Sequence, residues 1–575
     1  MAGQLIAELK RRRVFRALIG YGIATFAVLQ IVEPVMHGFH WPDAVLSYVV
    51  VALAAGFPIV VSLAWIFDVS AAGIERAAPS PTMRRGRLAA LLVGIGMLAA
   101  APGLLWYFVV RSRPTPEASS IAARPSIAVL PFADLSPQKD QEYFADGIAE
   151  EILNSLAQIQ SLHVAGRVSS FSLKGKGDDA RTIGQKLNVA TLLEGSVRKE
   201  GTHVRITAQL INATNGYHLW SQTYDRELSG VFAAQDEIAR AVVDALKVRL
   251  MPARRRHEPT PEAHNEFLLG NQFLNRVSYE NYIRAAAAYQ RAVKLDPEYA
   301  QAWAAFAMAR YYVADSAESV AAISQGFDEA MSYAEKSLAL DPDLAEGYAA
   351  RGWLRSATRS EWEGARADFA RGLSLNPNDA ELHRRYALRG LASMGRLPEA
   401  VEEGRRATEI DPLSAWSWWT LGRLYAASGQ LDAARAALEK SLHISPEQDF
   451  AATLLAEVEL LDKRPAAALE VAEQAASEAR KRYCKAMALH DLGRTAEAQR
   501  VLAEMISQYA HNSAWQIAVV YAWFGEPDKA FEWLDRAYVQ RDSGLPGLKY
   551  NPMLRGLRGD PRYAALLAKM NLPPD

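Results

Sequence analysis

Five tripeptides ending in proline punctuate the second half of the chain: LDP at Pro297, LDP at Pro342, LNP at Pro377, IDP at Pro412 and ISP at Pro446. The last three intervals are nearly equal, from Pro342 to Pro377, on to Pro412 and on to Pro446. A fixed period of this length means one supersecondary unit copied along the chain. Each copy leaves an apolar face that only its neighbour can cover, so stacking is obligatory. The clearest unit runs from Ala415 to about Gln448. Gly422 and Ala434 are small there, which lets two antiparallel helices approach closely. Trp418, Leu421 and Tyr425 fill the surrounding space, and Pro446 stops the second helix. These features predict an all-α solenoid.

The period and the placing of Trp418, Leu421, Gly422, Tyr425, Ala434, Leu438 and Pro446 resemble the tetratricopeptide pattern. The repeats are expected over 263–542, about seven to eight of them, with an insertion around VADSAESVAAI. The closing LPGLKYNPMLRGLRGDPRYAALLAKMNLPPD, within 543–575, reads as a C-terminal cap over the last apolar face. In such an array the second, fifth, ninth and twelfth positions of each first helix face the concave groove, because spacings of three and four keep one face. In the clear repeat these are Trp416, Trp419, Arg423 and Ala426. Elsewhere the count lands on Tyr311, Trp353, Arg384 and Trp523. Trp, Tyr and Arg dominate binding hot spots, so a protein or peptide partner in the groove is expected. The competing reading is that these aromatics pack between neighbouring repeats.

The segment 1–110 reads differently. Ala44 to Phe67 and Leu88 to Val110 contain no charged side chain, and the stretch from Val14 carries only Arg16 near its start. Each approaches or exceeds the roughly 20 helical residues that cross a bilayer core. This predicts a membrane domain over 1–110 with three transmembrane helices at about 14–35, 44–67 and 88–110. Lys10, Arg11, Arg12 and Arg13 precede the first span, and Arg76, Arg84, Arg85 and Arg87 lie between the second and third. The positive-inside rule then places the N-terminus in the cytoplasm. In a Gram-negative cell the remaining domains would be periplasmic, on a multi-pass protein of the bacterial inner membrane.

Residues 111–125 and 251–262 read as linkers, rich in Pro, Ser and Ala or in Pro and Arg. Between them lies a compact α/β domain over 126–250. IAVLPF is a buried strand, EYFADGIAEEILNSLAQI an amphipathic helix with Phe144, Ile148, Ile152, Leu156 and Ile159 on one stripe, LHVAGRVSSF a second strand and DDARTIGQKLN a second helix. HVRITAQLIN alternates, with Val204, Ile206, Ala208 and Leu210 on one face, as the middle strand of a meander. VFAAQDEIARAVVDALKVRL closes the unit as a helix.

A strand, loop and helix in that order begin many nucleotide-binding domains, but the first turn has no glycine before Gly147. In LKGKGDD, Ser170 stands where a phosphate loop needs its first Gly, and Gly177 where it needs a hydroxyl. No nucleotide is expected. The segments SIAVLPFADLSPQKDQEYFADGIAEEI, RVSSFSLKGKG, LLEGSVRKEGTHVRITAQLINATNGYHLWSQTYDREL and FAAQDEIARAVVDAL resemble the TolB amino-terminal-like domain, which bacterial proteins commonly join to tetratricopeptide repeats. That resemblance implies a non-catalytic recognition fold. Some relatives carry an adenylate cyclase or winged-helix output domain ahead of the membrane, and neither pattern is present in the sequence.

The remaining chemistry is sparse. A formal net charge of -1 gives no general attraction to nucleic acid. His257 and His264 are too far apart for a zinc-binding HExxH motif, His37 and His40 share a short loop, and Cys484, the one cysteine, reads as a buried apolar residue. Acidic pairs such as Glu150–Glu151 and Glu402–Glu403 read as solvated helix faces. No catalytic residue, cofactor or metal site is expected. The leading expectation is a membrane-anchored, non-enzymatic scaffold or adaptor. A signalling sensor lacking its output domain is the alternative, and an enzyme with an unrecognised site in the α/β domain is the third reading.

Overall fold

The structure is a computed structural model. It describes residues 67–70, 73–76, 125–248, 257–276, 278–316 and 320–574, with Tyr21, Ala24, Thr25, Val28, Leu53 and Val60 besides. The chain divides into two compact units, Met1–Ile121 and Ala122–Asp575.

In the first unit, strands β1 (Phe67–Ser70) and β2 (Gly73–Arg76) form an antiparallel hairpin with Phe67 opposite Arg76. This corrects the expected membrane domain. Among the described residues, no helix is long and apolar enough to cross a membrane. Phe67, counted as the end of the second span, opens a strand instead. The rest of the stretches 14–35, 44–67 and 88–110 lies almost wholly outside the described residues. The fold class with three transmembrane helices, the bilayer as a partner and the multi-pass inner-membrane placement with periplasmic domains therefore do not stand. A charge-free run reports that a segment avoids water; it does not specify one continuous helix or what covers it.

The second unit opens with a mixed sheet. Strands β3 (Ser126–Val129), β4 (Ala133–Asp134), β5 (His163–Val164), β6 (Thr191–Glu200), β7 (His203–Asn212) and β8 (His218–Glu227) take the order β5-β3-β6-β7-β8, with β4 beside β6. β3 runs parallel to β5 and β6, whereas β6, β7 and β8 form an antiparallel meander. Ile127, Ala128 and Val129 of β3 are fully buried, as are Val204, Ile206, Ala208 and Leu210 of β7. Four helices accompany the sheet: α1 (Glu142–Ala157), α2 (Arg167–Phe171), α3 (Ala180–Leu187) and α4 (Val231–Ala245). Phe144, Ile148, Ile152 and Leu156 bury the stripe of α1 against the sheet. The segment LHVAGRVSSF, expected as one strand, divides into two residues of β5 and the short helix α2. Lys174, in the glycine-containing turn after α2, pairs with Asp146 at 2.7 Å and Glu142 at 2.6 Å.

Eight helix pairs follow among the described residues. They are α5 (Pro261–Leu274) with α6 (Tyr279–Leu295), α7 (Ala300–Asp315) with α8 (Val320–Leu340), α9 (Ala345–Leu354) with α10 (Trp362–Leu375), and α11 (Ala380–Arg385) with α12 (Leu397–Ile410). Then come α13 (Ala415–Ala427) with α14 (Leu431–Ile444), α15 (Asp449–Leu461) with α16 (Pro465–Glu473), α17 (Glu478–Asp491) with α18 (Thr495–Tyr509), and α19 (Ala514–Trp523) with α20 (Pro527–Gln540). A Cβ on Gly422 would lie 2.7 Å from Leu438 Cγ, so α13 and α14 pack at a distance only glycine permits. Two first helices end in π-helical turns, Arg355–Arg359 after α9 and Tyr386–Leu391 after α11.

The segment after α20 holds a 3₁₀ turn, Leu545–Gly547, a second one, Pro552–Leu557, and helix α21 (Pro561–Lys569). Leu554, Tyr563, Leu567 and Met570 pack with Trp515 and Ile517 of the last pair. The same segment reaches back to much earlier repeats. The Trp362 indole N–H donates to the Met570 carbonyl at 2.7 Å, and the Arg555 guanidinium to the Ala427 carbonyl at 3.3 Å.

Candidate binding groove

The first helices α5, α7, α9, α11, α13, α15 and α17 turn one side each toward a shared cavity of about 3180 Å³, and α1, α2 and α4 of the α/β domain form its opposite wall. The docking of that domain is specific. The N-cap of α2 is Gly166, which has no side chain to cap the helix. The Asp411 carboxylate, from the turn after α12, supplies the cap by accepting the Ser169 N–H at 2.6 Å. Gly166 N–H donates to the Ile410 carbonyl at 2.7 Å, and Leu413 N–H to the Ser169 hydroxyl at 2.8 Å. The Asn378 amide donates to the carbonyls of Ala157 and Leu162, both at 3.0 Å, at the C-terminal end of α1. Turns between repeats thus hold the α/β domain in place.

A second seam joins α1 and α4 to α5. Glu151 accepts from the Gln235 amide and lies 3.4 Å from His264 Nδ1, which also meets the Tyr299 hydroxyl at 3.2 Å. Glu151, expected on a solvated face, lies instead between domains. Burial pushes its carboxyl up to about 8 and the His264 imidazole down to about 3. The folded protein thus holds the Glu151 proton more tightly than a free carboxyl of ordinary value 4.5 does. Its contribution to stability is complete below 4.5 and is lost as pH rises through about 8. His264 works the other way, losing its contribution as pH falls from 6.5 toward about 3. Between about pH 6.5 and 8 Glu151 acts without that opposition. The melting temperature should fall across this window, and Glu151→Gln should flatten the fall; an unchanged slope by calorimetry would remove Glu151 as its source.

The structure brings six of the seven groove candidates to the cavity: Tyr311, Trp353, Arg384, Trp416, Trp419 and Arg423. Trp416 is 41% exposed and stands edge-on to Trp419, with ring centroids 5.5 Å apart. Trp419 donates its indole N–H to the Phe450 carbonyl at 3.1 Å. Tyr311 is buried, stacked on Phe327 at 5.3 Å and edge-on to Trp353 at 6.0 Å, so it packs between repeats while touching the cavity. Arg384 grips Glu381 through two nitrogens. Burial would raise the Glu381 carboxyl, but Arg384 and Arg385 hold it down at about 2.

Trp523 is elsewhere. Its indole N–H donates to Asp491 at 3.0 Å, and it is not among the cavity's lining residues. α19 starts at Ala514, so Trp515 takes the second position and does line the cavity. Counting from α15 in the same way reaches Phe450, which is 41% exposed and 5.3 Å from Trp416. Arg389, Arg480 and Tyr550 also line the wall. Nothing in the repeat pattern marks them: Arg389 sits in a π-helical turn and Tyr550 arrives from the C-terminal segment. Cys484 is buried, and its burial raises the thiol well above its ordinary range. Among the described residues no group of His, Cys, Asp or Glu is placed to hold a metal ion.

Residues 391–458 match the family model for the tetratricopeptide repeat. The chain carries tetratricopeptide repeats. Over 204 residues, 35% of this chain, it is 38% identical to a putative adenylate cyclase 3 of Rhizobium meliloti (strain 1021), and it spans about a third of that relative's length, 34%. Among solved structures it is similar to a human IFIT1 dimer with m7Gppp-AAAA, at 15% identity over 54% of this chain and 81% of that one, with a TM-score of 0.35. It is also similar to PilF of Pseudomonas aeruginosa, at 18% identity over 37% of this chain and 93% of that one, with a TM-score of 0.30. A third is YrrB, a tetratricopeptide protein with an unusual peptide-binding site, at 22% identity over 35% of this chain and 97% of that one, with a TM-score of 0.22. None of these three likenesses bears on what this chain binds.

Proposed function

We propose that this chain is a non-enzymatic interaction scaffold that holds a peptide segment of a partner protein against the concave face of its repeats. The observation that carries this reading is the pair Trp416 and Phe450. Two large aromatic side chains, each 41% exposed, line one cavity beside Trp419. Large apolar surface left open inside a concavity marks a contact site more often than a stability feature. In this reading 263–542 is the repeat array, 543–575 its closing segment, and 126–250 a recognition domain similar to the TolB amino-terminal-like fold. The groove contacts would come from Trp416, Trp419, Arg423, Arg384, Trp353 and Tyr311. Trp523, fixed to Asp491, is left out.

The test is selection of displayed random peptides on the full chain. Trp416→Ala with Trp419→Ala should lower enrichment at least about tenfold, the scale expected for removing two hot-spot aromatics, while far-ultraviolet circular dichroism stays unchanged. Equal enrichment on the double variant would take the groove out of the account.

The likeness to a putative adenylate cyclase supports a second reading, a regulatory or sensor protein of a signalling system. Incubating the purified chain with ATP and magnesium tests whether it is itself a cyclase. Formation of cyclic AMP would overturn the non-enzymatic reading.

A further inference from the structure

Charge is unevenly placed in this chain. Over 122–575 the sequence has six more Asp and Glu than Lys and Arg. The cavity accounts for that whole excess, since thirteen carboxylates, seven guanidiniums and no lysine line it. The other charged side chains of the unit balance. A cleft lined in excess by one sign, between walls of low dielectric, concentrates its field and draws the opposite charge.

The two signs are also separated along the groove. α5, α7 and α9, with the turns beside them, contribute Glu258, Glu298, Asp315, Asp341, Asp343 and Glu346 to the lining and no lysine or arginine. The guanidiniums of the repeat wall all come from α11 onward, and they are engaged there. Arg384 and Arg385 share Glu381 at 2.6 and 2.7 Å, and Arg480 reaches Asp449 at 3.4 Å. Arg423 is bonded to Tyr550 and faces Glu457, and Arg389 faces Asp315. Four of them also lie on rings: Arg384 on Trp416 at 5.7 Å, Arg389 on Trp353 at 4.9 Å, Arg423 on Trp419 at 5.6 Å and Arg480 on Phe450 at 3.8 Å. In the acidic half Asp343 pairs with Arg371 at 2.6 Å, and Glu298 stands 3.7 Å from His257. Glu258, and Asp236 on the opposite wall, make no ion pair among the described residues.

An unmet acceptor lies in the same half. Asn376, in the turn after α10, lines the cavity and is 5% exposed, and its side-chain carbonyl meets no donor among the described residues. At the same position of the two preceding repeats, Asp296 and Asp341 accept the backbone N–H groups of Glu298 and Asp343. A buried acceptor without a donor is unfavourable, and a ligand N–H would satisfy it.

The far end of the groove narrows the occupant. Trp416 and Phe450 offer apolar surface beyond the acidic half. A small polyamine would answer the carboxylates and leave both rings bare. A nucleic acid would bring its phosphates against them. Packed helices lie about 8–10 Å apart and an extended chain advances about 3.3 Å per residue, so about ten to twelve residues reach from α7 to α15.

We infer that the groove takes an extended basic peptide segment, with its Lys or Arg side chains against α5, α7 and α9 and its apolar side chains against Trp416 and Phe450. This rests on the groove reading above and adds the chemistry of its partner.

The test is fluorescence anisotropy of the full chain with a labelled peptide of about twelve residues, Lys at alternate positions of one half and Leu at those of the other. Comparators carry Gln or Glu in place of Lys, and spermidine competes for the site. The Lys peptide should bind at least about tenfold more tightly than the Gln peptide, and the margin should shrink as salt rises. Asp236→Lys with Glu298→Lys, one exposed carboxylate from each wall, should weaken the Lys peptide about tenfold or more and leave the Gln peptide unchanged. Asp236→Asn with Glu298→Gln should show a smaller loss, which keeps the test decisive if the reversed charges disturb folding. Glu439→Lys with Glu470→Lys makes the same change of net charge on the exposed sides of α14 and α16 and should leave the affinity as it is. Equal losses from the two pairs of reversals would reduce the effect to the charge of the whole chain and overturn the inference. Equal binding of the Lys and Gln peptides, abolished by the two tryptophan substitutions, would overturn the basic class and leave the groove standing. Spermidine displacing the Lys peptide at equal concentration would overturn a peptide as the occupant. No binding of any peptide would remove both readings.

Discussion

Replacing Trp362 by alanine is expected to destabilise the repeat array by about 4 kcal/mol, the usual scale for truncating a buried Trp. Trp362 is buried at the start of α10, in one apolar cluster with Tyr563, Leu567 and Met570. Its indole N–H to the Met570 carbonyl, 2.7 Å, ties residues 208 positions apart. Alanine removes both the ring and the donor, leaving a cavity and a buried carbonyl without its partner. Trp362→Phe keeps most of the volume and loses the hydrogen bond, so its loss should be nearer about 1–2 kcal/mol. Denaturant midpoints rank the two variants. Hydrogen exchange places the damage: amides of 561–572 should lose protection before those of α13. Equal loss in all helices would mean that Trp362 supports the array as a whole and not the return of the C-terminal segment.

The second large effect belongs to Asp411. Burial raises its carboxyl to about 6 against an ordinary 3.8, although the N–H groups of Ser169 and Val168 pull the other way. The folded state therefore binds this proton more tightly. The stability it contributes is full below about pH 3.8 and is lost as pH rises through about 6, amounting to about 3 kcal/mol. Asp411→Asn keeps an acceptor for the Ser169 N–H and removes the buried charge, so at neutral pH docking should be unchanged or firmer, with no slope between about pH 4 and 6. Asp411→Ala leaves the start of α2 uncapped and should weaken docking by about 2 kcal/mol. Exchange of the Ser169 amide would then accelerate about 30-fold. If Asn and Ala behave alike, the carboxylate is not what holds the α/β domain to the repeats.

The contrast between Gly422 and α2 shows what the sequence could and could not disclose. Gly422 faces Leu438 because the recurring period makes every helix pair solve the same packing problem, and that problem is local. β7 was equally legible, since alternation of Val204, Ile206, Ala208 and Leu210 needs one buried face. RVSSF reads as strand from its Val and Phe, yet it is helical because a cap arrives from Asp411, 242 residues from Ser169. Glu151 and His264 were invisible for the same reason: each looks ordinary until the other is brought beside it. Trp523 was lost to a one-residue frame. Counting from Trp515 instead of Ala514 rotates the choice by about 100° and off the groove. The charge-free runs within 1–110 misled because hydropathy records avoidance of water and nothing more.

Hydrogen exchange of the full chain, with and without the tightest peptide from the displayed pool, tests the groove most directly. Protection should rise in 380–390, 415–425, 449–453 and 478–484, the first-helix segments that carry the stacked arginines and aromatics. Protection confined to the free edge of β8, or to the outer helices α14 and α16, would contradict it.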